Sequence, residues 1–365
     1  MLKYQGMQSI YQRRFLPRTV LLKEIFFGKS EMHGMKTMCR KICAFLICLA
    51  LVLPGVRALA DDRDGTAGKE GSQAYGQSVV LTGDQEMNWT CGIPFHDPGY
   101  KAYGTDGTDL TENVKVEGEV ICWKVGDYEL SYLLKDGKET LASAERIIHV
   151  IPAELPDTVQ PSSRTIYLTF DDGPCDYTEL VLDTLAKYNV KATFFIVAEH
   201  SPRHLKILPR IVEEGHTLGI HCYSHYLQGL YWDADSFFTD FIKAQEVIYR
   251  YTGTYAHVSR LPGGSRTAHT LAITLEGYFD EFREMMHNMG VRYYDWNVQP
   301  ETYKETDGVE YLFTHPDEDY DFAIVLQHDT RSYSVLALDK MIQWGLKQGY
   351  TFAPIDLTTP EIHFY

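Results

Sequence analysis

The sequence predicts a parallel α/β domain, either a barrel or a doubly wound sheet, preceded by a small all-β domain. Apolar strand candidates alternate with helical stretches after residue 164, which is typical of parallel sheets. Short alternating runs separated by turn signals fill residues 79–151 and indicate a β-sandwich. A chain of 365 residues, of which 44% are hydrophobic, is long enough to bury the cores of both domains.

In the all-β segment, turn signals such as Asp106-Gly107 separate short runs of alternating apolar and polar residues. These runs are Val114–Val116, Tyr128–Leu133 and Arg146–Val150. Residues 61–78 are polar and rich in glycine, which predicts a flexible linker. Residues 152–163 contain three prolines and predict a semi-stiff linker between the two domains.

In the α/β segment, strand candidates and helix candidates follow one another along the chain. The predicted strands are Thr165–Phe170, Ala192–Val197, Thr217–His221, His257–Leu261, Val291–Trp296 and Phe322–Gln327. The predicted helices are Thr178–Tyr188, His204–Glu214, Ala234–Tyr251, Thr274–Met289 and Ser334–Lys347.

Residues 1–60 carry the pattern of a secretory signal peptide. Basic residues precede the apolar run Ile42–Pro54, and Ala58-Leu59-Ala60 matches a cleavage site. The run is shorter than the ~20 residues that span a bilayer, so no membrane span is expected after cleavage, although an uncleaved anchor is the alternative. Residues 1–34 lack the pattern, and we expect translation to begin at Met35 or Met38. The protein is therefore predicted to be secreted or associated with the cell surface.

The charge of the chain excludes nucleic acid as an expected partner. Residues 1–60 contain 10 of the 34 Lys and Arg residues and 2 of the 50 Asp and Glu residues. Residues 61–365 are left with 24 basic and 48 acidic residues, a net charge of -24. Such a surface repels phosphate backbones and suits a neutral or partly cationic polymer, although solubility outside the cell explains it equally well.

Two adjacent carboxylates, Asp171 and Asp172, follow the first apolar strand of the α/β segment and precede a Gly-Pro turn. Neighbouring side chains at a strand end point in different directions, so one carboxylate can bind a metal ion while the other faces a substrate. An acidic turn that caps a helix would explain the same residues.

A second cluster contains His221 and His225, whose spacing lets two imidazoles converge on one metal ion if the segment is helical or turned. With Asp172 they form a His-His-Asp set that leaves coordination positions open, as in catalytic zinc sites. The ion is expected to be divalent, with Zn²⁺ preferred and Co²⁺ or Mn²⁺ also fitting. Two surface histidines are the alternative.

Two further clusters follow predicted strands. Arg260 can pair with a carboxylate, and the turn after it lets Gly263 offer a backbone N–H to an oxyanion. A carboxylate at Asp295 would orient His328 and favour its protonated form, as a general acid requires. The alternatives are a β-turn with a surface arginine and, at the last strand, a helix cap at Asp329 beside a structural histidine.

In this order and spacing, the clusters resemble the polysaccharide deacetylase, or NodB-homology, family from about Thr165 to Ile355. The resemblance implies a distorted (β/α) barrel of seven strands within residues 164–365. Residues 79–151 resemble bacterial surface immunoglobulin-like modules, with motifs such as Asp97-Pro98-Gly99-Tyr100. That resemblance implies a spacer or an adhesion module.

The resemblance also implies a role for each site residue. It makes Asp171 the general base and Arg260 the residue that orients it. It places the acid at His328 and the carboxylate that tunes the acid at Asp295. The implied metal ligands are Asp172, His221 and His225. The implied oxyanion donor is the N–H of Gly263, and the implied lining of the acetyl pocket is Trp296 and Leu326.

The function implied is removal of N-acetyl groups from amino sugars of a polysaccharide, with N-acetylglucosamine of peptidoglycan as the expected substrate. An acetyl-ester deacetylase acting on a glycan such as xylan, and a non-catalytic wall-binding protein, are the alternatives. Cys175 and Cys222 adjoin the first two clusters. We expect two separate thiols there, with a disulfide between them as the alternative.

Overall fold

The structure is a computed structural model that describes residues 76–161, 164–272, 277–298 and 322–365. The predicted leader and nearly all of the first linker lie outside the described residues. Among the helices of the described ranges, none is long and apolar enough to cross a membrane.

Residues 78–151 form strands only, apart from one turn of 3₁₀ helix at Thr111–Asn113. The strands are β1 (Ser78–Leu81), β2 (Glu86–Thr90), β3 (Tyr100–Tyr103), β4 (Val114–Glu117), β5 (Gly126–Asp136) and β6 (Glu139–Ile151). They build a four-stranded sheet in the order β2-β6-β5-β4 and a separate antiparallel pair of β1 and β3. The predicted all-β, immunoglobulin-like segment is therefore confirmed.

A curled parallel sheet follows, as the alternating pattern predicts. Its strands are β7 (Thr165–Asp171), β8 (Thr193–Val197), β9 (Thr217–Cys222), β10 (Val258–Ser259), β11 (Arg292–Tyr293), β12 (Phe322–His328) and β13 (Thr351–Phe352). The order is β11-β10-β9-β8-β7-β12, and β13 pairs with the start of β7. A bridge between Val298 and Val325 links the two ends of this path. The carboxyl ends of the strands therefore face one common edge.

Helices lie between these strands. They are α1 (Thr178–Tyr188), α2 (Pro202–Leu205), α3 (Leu208–Glu213), α4 (Leu227–Leu230), α5 (Ala234–Thr252), α6 (Gly264–Ala272), α7 (Tyr278–Asn288) and α8 (Ser332–Lys347). In α5, Asp233 caps the N-terminus by accepting a hydrogen bond from Ser236 N at 2.7 Å, and Gly253 ends the helix in a left-handed conformation. Its apolar face buries Phe237, Phe238 and Phe241.

Several element bounds differ from the prediction. The single helix predicted over His204–Glu214 is two short helices, because Pro209 lacks an N–H and so suits the start of α3. Strands β10 and β11 have two residues each, and so are shorter than the predicted strands His257–Leu261 and Val291–Trp296. The last residues of both predicted strands leave the sheet and turn toward the site. Helix α6 was not predicted, and residues 273–276 of the predicted helix Thr274–Met289 lie outside the described ranges.

The immunoglobulin-like segment packs directly on the barrel. Lys124 Nζ lies 2.9 Å from Asp235 Oδ1 at the start of α5. Ala153 N donates to Asn288 O at 2.8 Å at the end of α7. Part of the predicted linker, residues 152–161, is thus hydrogen-bonded to the barrel rather than free, and Val159 N also donates to Thr358 O at 2.7 Å. One cluster of buried apolar side chains includes residues from both segments.

Candidate active site

Asp171, the last residue of β7, faces the buried side chain of Arg260. Arg260 Nη1 lies 3.0 Å from Asp171 Oδ1 and 2.5 Å from Thr169 Oγ1, and Nε donates to Tyr294 O at 2.9 Å. The guanidinium carbon also lies 4.5 Å from the ring centre of Phe195. Both charged groups are almost completely buried, so each compensates the charge of the other and the carboxylate is held in one place.

Asp172 points away from Asp171 because its backbone is left-handed, with φ of 71°. Asp172 Oδ1 lies 3.5 Å from His221 Nε2 and 3.4 Å from His225 Nε2. One ligand atom from each of these residues lies within 4.8 Å of the others. The two adjacent carboxylates thus serve two different partners.

The His221 ring is fixed by its backbone contact. His221 Nδ1 lies 2.7 Å from Arg260 O, and since a carbonyl only accepts, Nδ1 carries the proton and Nε2 keeps its lone pair. Burial lowers the pKa of His221, which favours the neutral, ligating form. The loop that follows is held by Asp240, which accepts hydrogen bonds from Tyr223 N at 2.6 Å and Ser224 N at 2.9 Å.

The Asp172, His221 and His225 side chains fit a divalent metal ion. Asp172 Oδ1 is buried and has no hydrogen-bond donor, although it faces two imidazole nitrogens. A buried carboxylate oxygen without a donor is costly unless a cation neutralises it. Two imidazoles and one carboxylate are ligands that Zn²⁺ accepts, and the partial exposure of His225 leaves one side of the cluster open to solvent.

His328 ends β12 directly opposite Asp171 in the strand register. Its Nε2 atom lies 3.8 Å from Asp172 Oδ2, and the side chain is partly exposed. A carboxylate at Asp171 and an imidazole at His328 therefore flank the His-His-Asp cluster.

The expected direct pairing of Asp295 with His328 is absent: no hydrogen bond or ion pair between the two is found in the described residues. The Asp295 carboxylate instead accepts hydrogen bonds from Ser265 N at 2.8 Å, from Ser265 Oγ, and from Phe364 N at 2.6 Å. With both oxygens engaged and the residue fully buried, Asp295 stabilises the turn that carries Gly263 and Gly264.

The expected oxyanion donor, Gly263, and the expected acetyl-pocket residues, Trp296 and Leu326, lie in different elements. Gly263 is exposed and left-handed, with φ of 76°, a conformation that favours glycine. Trp296 is partly buried, and the guanidinium carbon of Arg260 lies 5.6 Å from the centre of its ring. The same ring packs edge-on against Phe364. Leu326 is buried on β12.

One contact that the sequence does not predict joins the first and last clusters. Thr178 Oγ1, at the start of α1, lies 2.5 Å from Asp329 Oδ2, and both residues are buried. A side chain at Gly173 would collide with the same carboxylate, so any larger residue there would have to displace Asp329. The sequence suggests a helix cap as the alternative role of Asp329, but Arg331 takes the cap position of α8. No sequence signal distinguishes these two roles, because both place a carboxylate just before a helix.

Cys175 and Cys222 are both free thiols, as expected. Cys222 is buried, and desolvation raises the pKa of its thiol, which disfavours the thiolate that a metal ligand requires. Cys175 Sγ lies 3.4 Å from Asp329 O. The thiols therefore have packing roles in this structure.

Comparison with known proteins agrees with this fold. The profile of the polysaccharide deacetylase family matches residues 158–278, and that of the bacterial surface protein Ig-like domain matches residues 79–150. Peptidoglycan-N-acetylmuramic acid deacetylase PdaA of Bacillus subtilis is 32% identical over 197 residues, covering 53% of this chain and 70% of that protein. The chain belongs to the polysaccharide deacetylase family and carries a bacterial surface immunoglobulin-like domain.

Two further relatives act, by their names, on peptidoglycan. Peptidoglycan-N-acetylglucosamine deacetylase PgdA of Listeria monocytogenes is 30% identical over 196 residues, which is 53% of this chain but only 39% of the relative. The crystal structure of the catalytic domain of a peptidoglycan N-acetylglucosamine deacetylase from Eubacterium rectale is 34% identical, with a TM-score of 0.51. That match covers 57% of this chain and 96% of the other.

Proposed function

We propose that the protein is a metal-dependent deacetylase that removes N-acetyl groups from amino sugars of a cell-wall polysaccharide, with N-acetylglucosamine of peptidoglycan as the first candidate. The observation that carries this proposal is the set of Asp172, His221 and His225, flanked by Asp171 and His328. A binding protein would need neither a proton acceptor nor a proton donor at such a cluster, whereas amide hydrolysis needs both.

The proposed domain division follows the sequence analysis. The deacetylase domain comprises residues 164–365, and the immunoglobulin-like domain comprises residues 79–151. The leader within residues 1–60 supports export, and the peptidoglycan-directed names of the relatives support action outside the cell, at the wall. The acidic surface is consistent with a polymer that gains positive charge as it is deacetylated.

A divalent ion, with Zn²⁺ preferred, would be held by Asp172, His221 and His225 and would polarise the acetyl carbonyl and lower the pKa of water. Every other step falls to side chains and backbone of this chain. Asp171, held by Arg260, accepts the proton of the attacking water.

We assign the Gly263 N–H as the donor to the developing oxyanion, and its lack of an acceptor among the described residues supports this assignment. His328 donates a proton to the leaving nitrogen, which yields acetate and a free amine. Trp296 and Leu326 are assigned to the pocket for the acetyl methyl group. Asp295 acts by holding Ser265 and the turn in place.

The test is acetate release from a panel of N-acetylated and O-acetylated glycans, measured with and without a chelator. We expect release from peptidoglycan fragments or N-acetylglucosamine oligomers, its loss on chelation, and its return when Zn²⁺ is added. Release from acetylated xylan alone would favour the ester reaction. Binding to glycans without any acetate release would overturn the proposal in favour of a wall-binding protein.

A further inference from the structure

The segment that follows His225 carries the two most exposed aromatic side chains among the described residues. Trp232 is 74% exposed and Tyr226 is 64% exposed. Large aromatic rings presented to solvent near a functional site commonly mark a binding surface, because their burial against a ligand is favourable. We call Tyr226 and Trp232 the aromatic pair.

The local backbone holds these rings outward. Tyr226 is the N-cap of α4, and its ring lies over Gly229, where an added Cβ would be 2.7 Å from the ring Cδ1 atom. Trp232 stands between α4 and the Asp233 cap of α5. Within the described residues, neither ring takes part in a hydrogen bond or an aromatic contact, and both rings remain largely exposed.

A cavity of about 450 Å³ is lined in part by Tyr226, and Trp232 precedes Asp233, another residue of its lining. It begins at Ser224 and Tyr226, on either side of His225, and extends to Asp233 and Asp235 at the start of α5. Hydroxyl and carboxylate groups therefore lie beside an aromatic ring. Asp235 of this lining pairs with Lys124 of the immunoglobulin-like domain, whose Nζ lies 2.9 Å from Asp235 Oδ1.

We propose that Tyr226 and Trp232, with this cavity, bind the sugar units that flank the acetylated unit in a glycan chain. A pyranose ring presents an apolar face of C–H groups that packs on an aromatic ring, while its hydroxyls donate to carboxylates. Three carboxylates and one lysine, Lys243, line the cavity, and this excess of negative charge also favours units whose amine is already free and protonated. This inference rests on the proposed function, since it names the residues that would let the site bind a polymer rather than a single sugar.

The test is the affinity for an N-acetylglucosamine pentamer, measured by calorimetry in the Asp171→Asn background so that the ligand is not consumed. We expect Tyr226→Ala/Trp232→Ala to weaken binding by about tenfold or more. Gly229→Ala is expected to weaken it less, by displacing only the Tyr226 ring. Tyr249→Ala is the matched control, because it removes an exposed aromatic ring near the opposite end of α5 and is expected to leave the affinity unchanged.

Chain length provides the second readout. In the protein with Asp171 intact, the loss in kcat/KM caused by the Tyr226→Ala/Trp232→Ala variant should be larger for the pentamer than for 4-nitrophenyl acetate. An equal loss on both substrates, or an unchanged pentamer affinity, overturns the inference. If the pentamer binds through the aromatic pair but no acetate is released from any glycan, the inference stands and the proposed function fails.

Discussion

At the scale of single residues, the site depends on two adjacent residues whose side chains have different partners. Asp171 and Asp172 differ by one position, yet one pairs with Arg260 and the other faces His221 and His225. The sequence predicted this divergence because adjacent side chains at a strand end point apart. It did not predict that Asp295 would bind Ser265, since the partner lies 30 residues away and a serine hydroxyl has no distinctive pattern.

Asp329 gives a prediction that depends on pH. Burial, with the charges of Asp172 and Asp171, raises the pKa of Asp329 from 3.8 to about 7. The folded protein therefore keeps a proton that the unfolded chain releases, and stability is lost as pH rises from 3.8 to about 7. Asp329→Asn keeps the contact with Thr178 but cannot ionise. In metal-free protein, we expect the free energy of unfolding of Asp329→Asn, minus that of wild type, to increase as pH rises from 3.8 to about 7.

The measurement is urea unfolding of both proteins at several pH values, with chelator present throughout. Thr184→Val on the exposed side of α1 is the control, because within the described ranges the Thr184 hydroxyl bonds only to Leu180 O of its own helix. A stability difference between Asp329→Asn and wild type that stays constant with pH would contradict the raised pKa.

At the scale of elements, the parallel order of the strands assembles the site. Strands β7, β9, β10 and β12 end at one edge, and the residues at or just beyond those ends are Asp171, His221, Arg260 and His328. The alternation of strands and helices was enough to predict that edge. The lengths of β10 and β11 were not predictable, because their apolar patterns continue into residues that leave the sheet to reach the site.

Gly219 in β9 shows how closely these strands pack. An added Cβ would lie 2.6 Å from the Phe195 ring and 3.0 Å from Val258, and the same Phe195 ring supports the Arg260 guanidinium. We expect Gly219→Ala to destabilise the protein by about 1–3 kcal/mol through overpacking. Gly76→Ala, where no atom lies within 4 Å of the added Cβ, should change stability by less than about 0.5 kcal/mol.

Chemical denaturation compares the two alanine variants with wild type. The account of β9 packing would be wrong if Gly219→Ala matched Gly76→Ala in stability. A fall in acetate release larger than the loss of folded protein would show that the displacement reaches Arg260.

At the scale of the whole molecule, the immunoglobulin-like domain is a fixed neighbour of the barrel. The sequence predicted two domains and a linker, and composition alone gave no sign that the linker would bind the barrel. The contacts that do so are backbone hydrogen bonds, such as Ala153 N to Asn288 O, which any residue other than proline can donate. An interface also forms where Gly92 and Gly290 allow close approach to Met289 and Ala153.

The shared cluster of buried apolar side chains leads to a prediction for the whole chain. Because residues of both segments contribute to it, we expect the two domains to unfold in a single cooperative transition. Differential scanning calorimetry with and without Zn²⁺ tests this. Two separate transitions, of which only one shifts when the metal is added, would show that the domains are energetically independent.

The most direct test of the central claim measures acetate release and bound metal in the same preparation of the Asp171→Asn variant. The account predicts that one equivalent of metal stays bound, because Asp172, His221 and His225 are unchanged. It also predicts that acetate release falls by a factor of about 10² to 10⁴, because the proton acceptor is lost. Acetate release near the wild-type rate from the metal-loaded variant would contradict the assignment of the site.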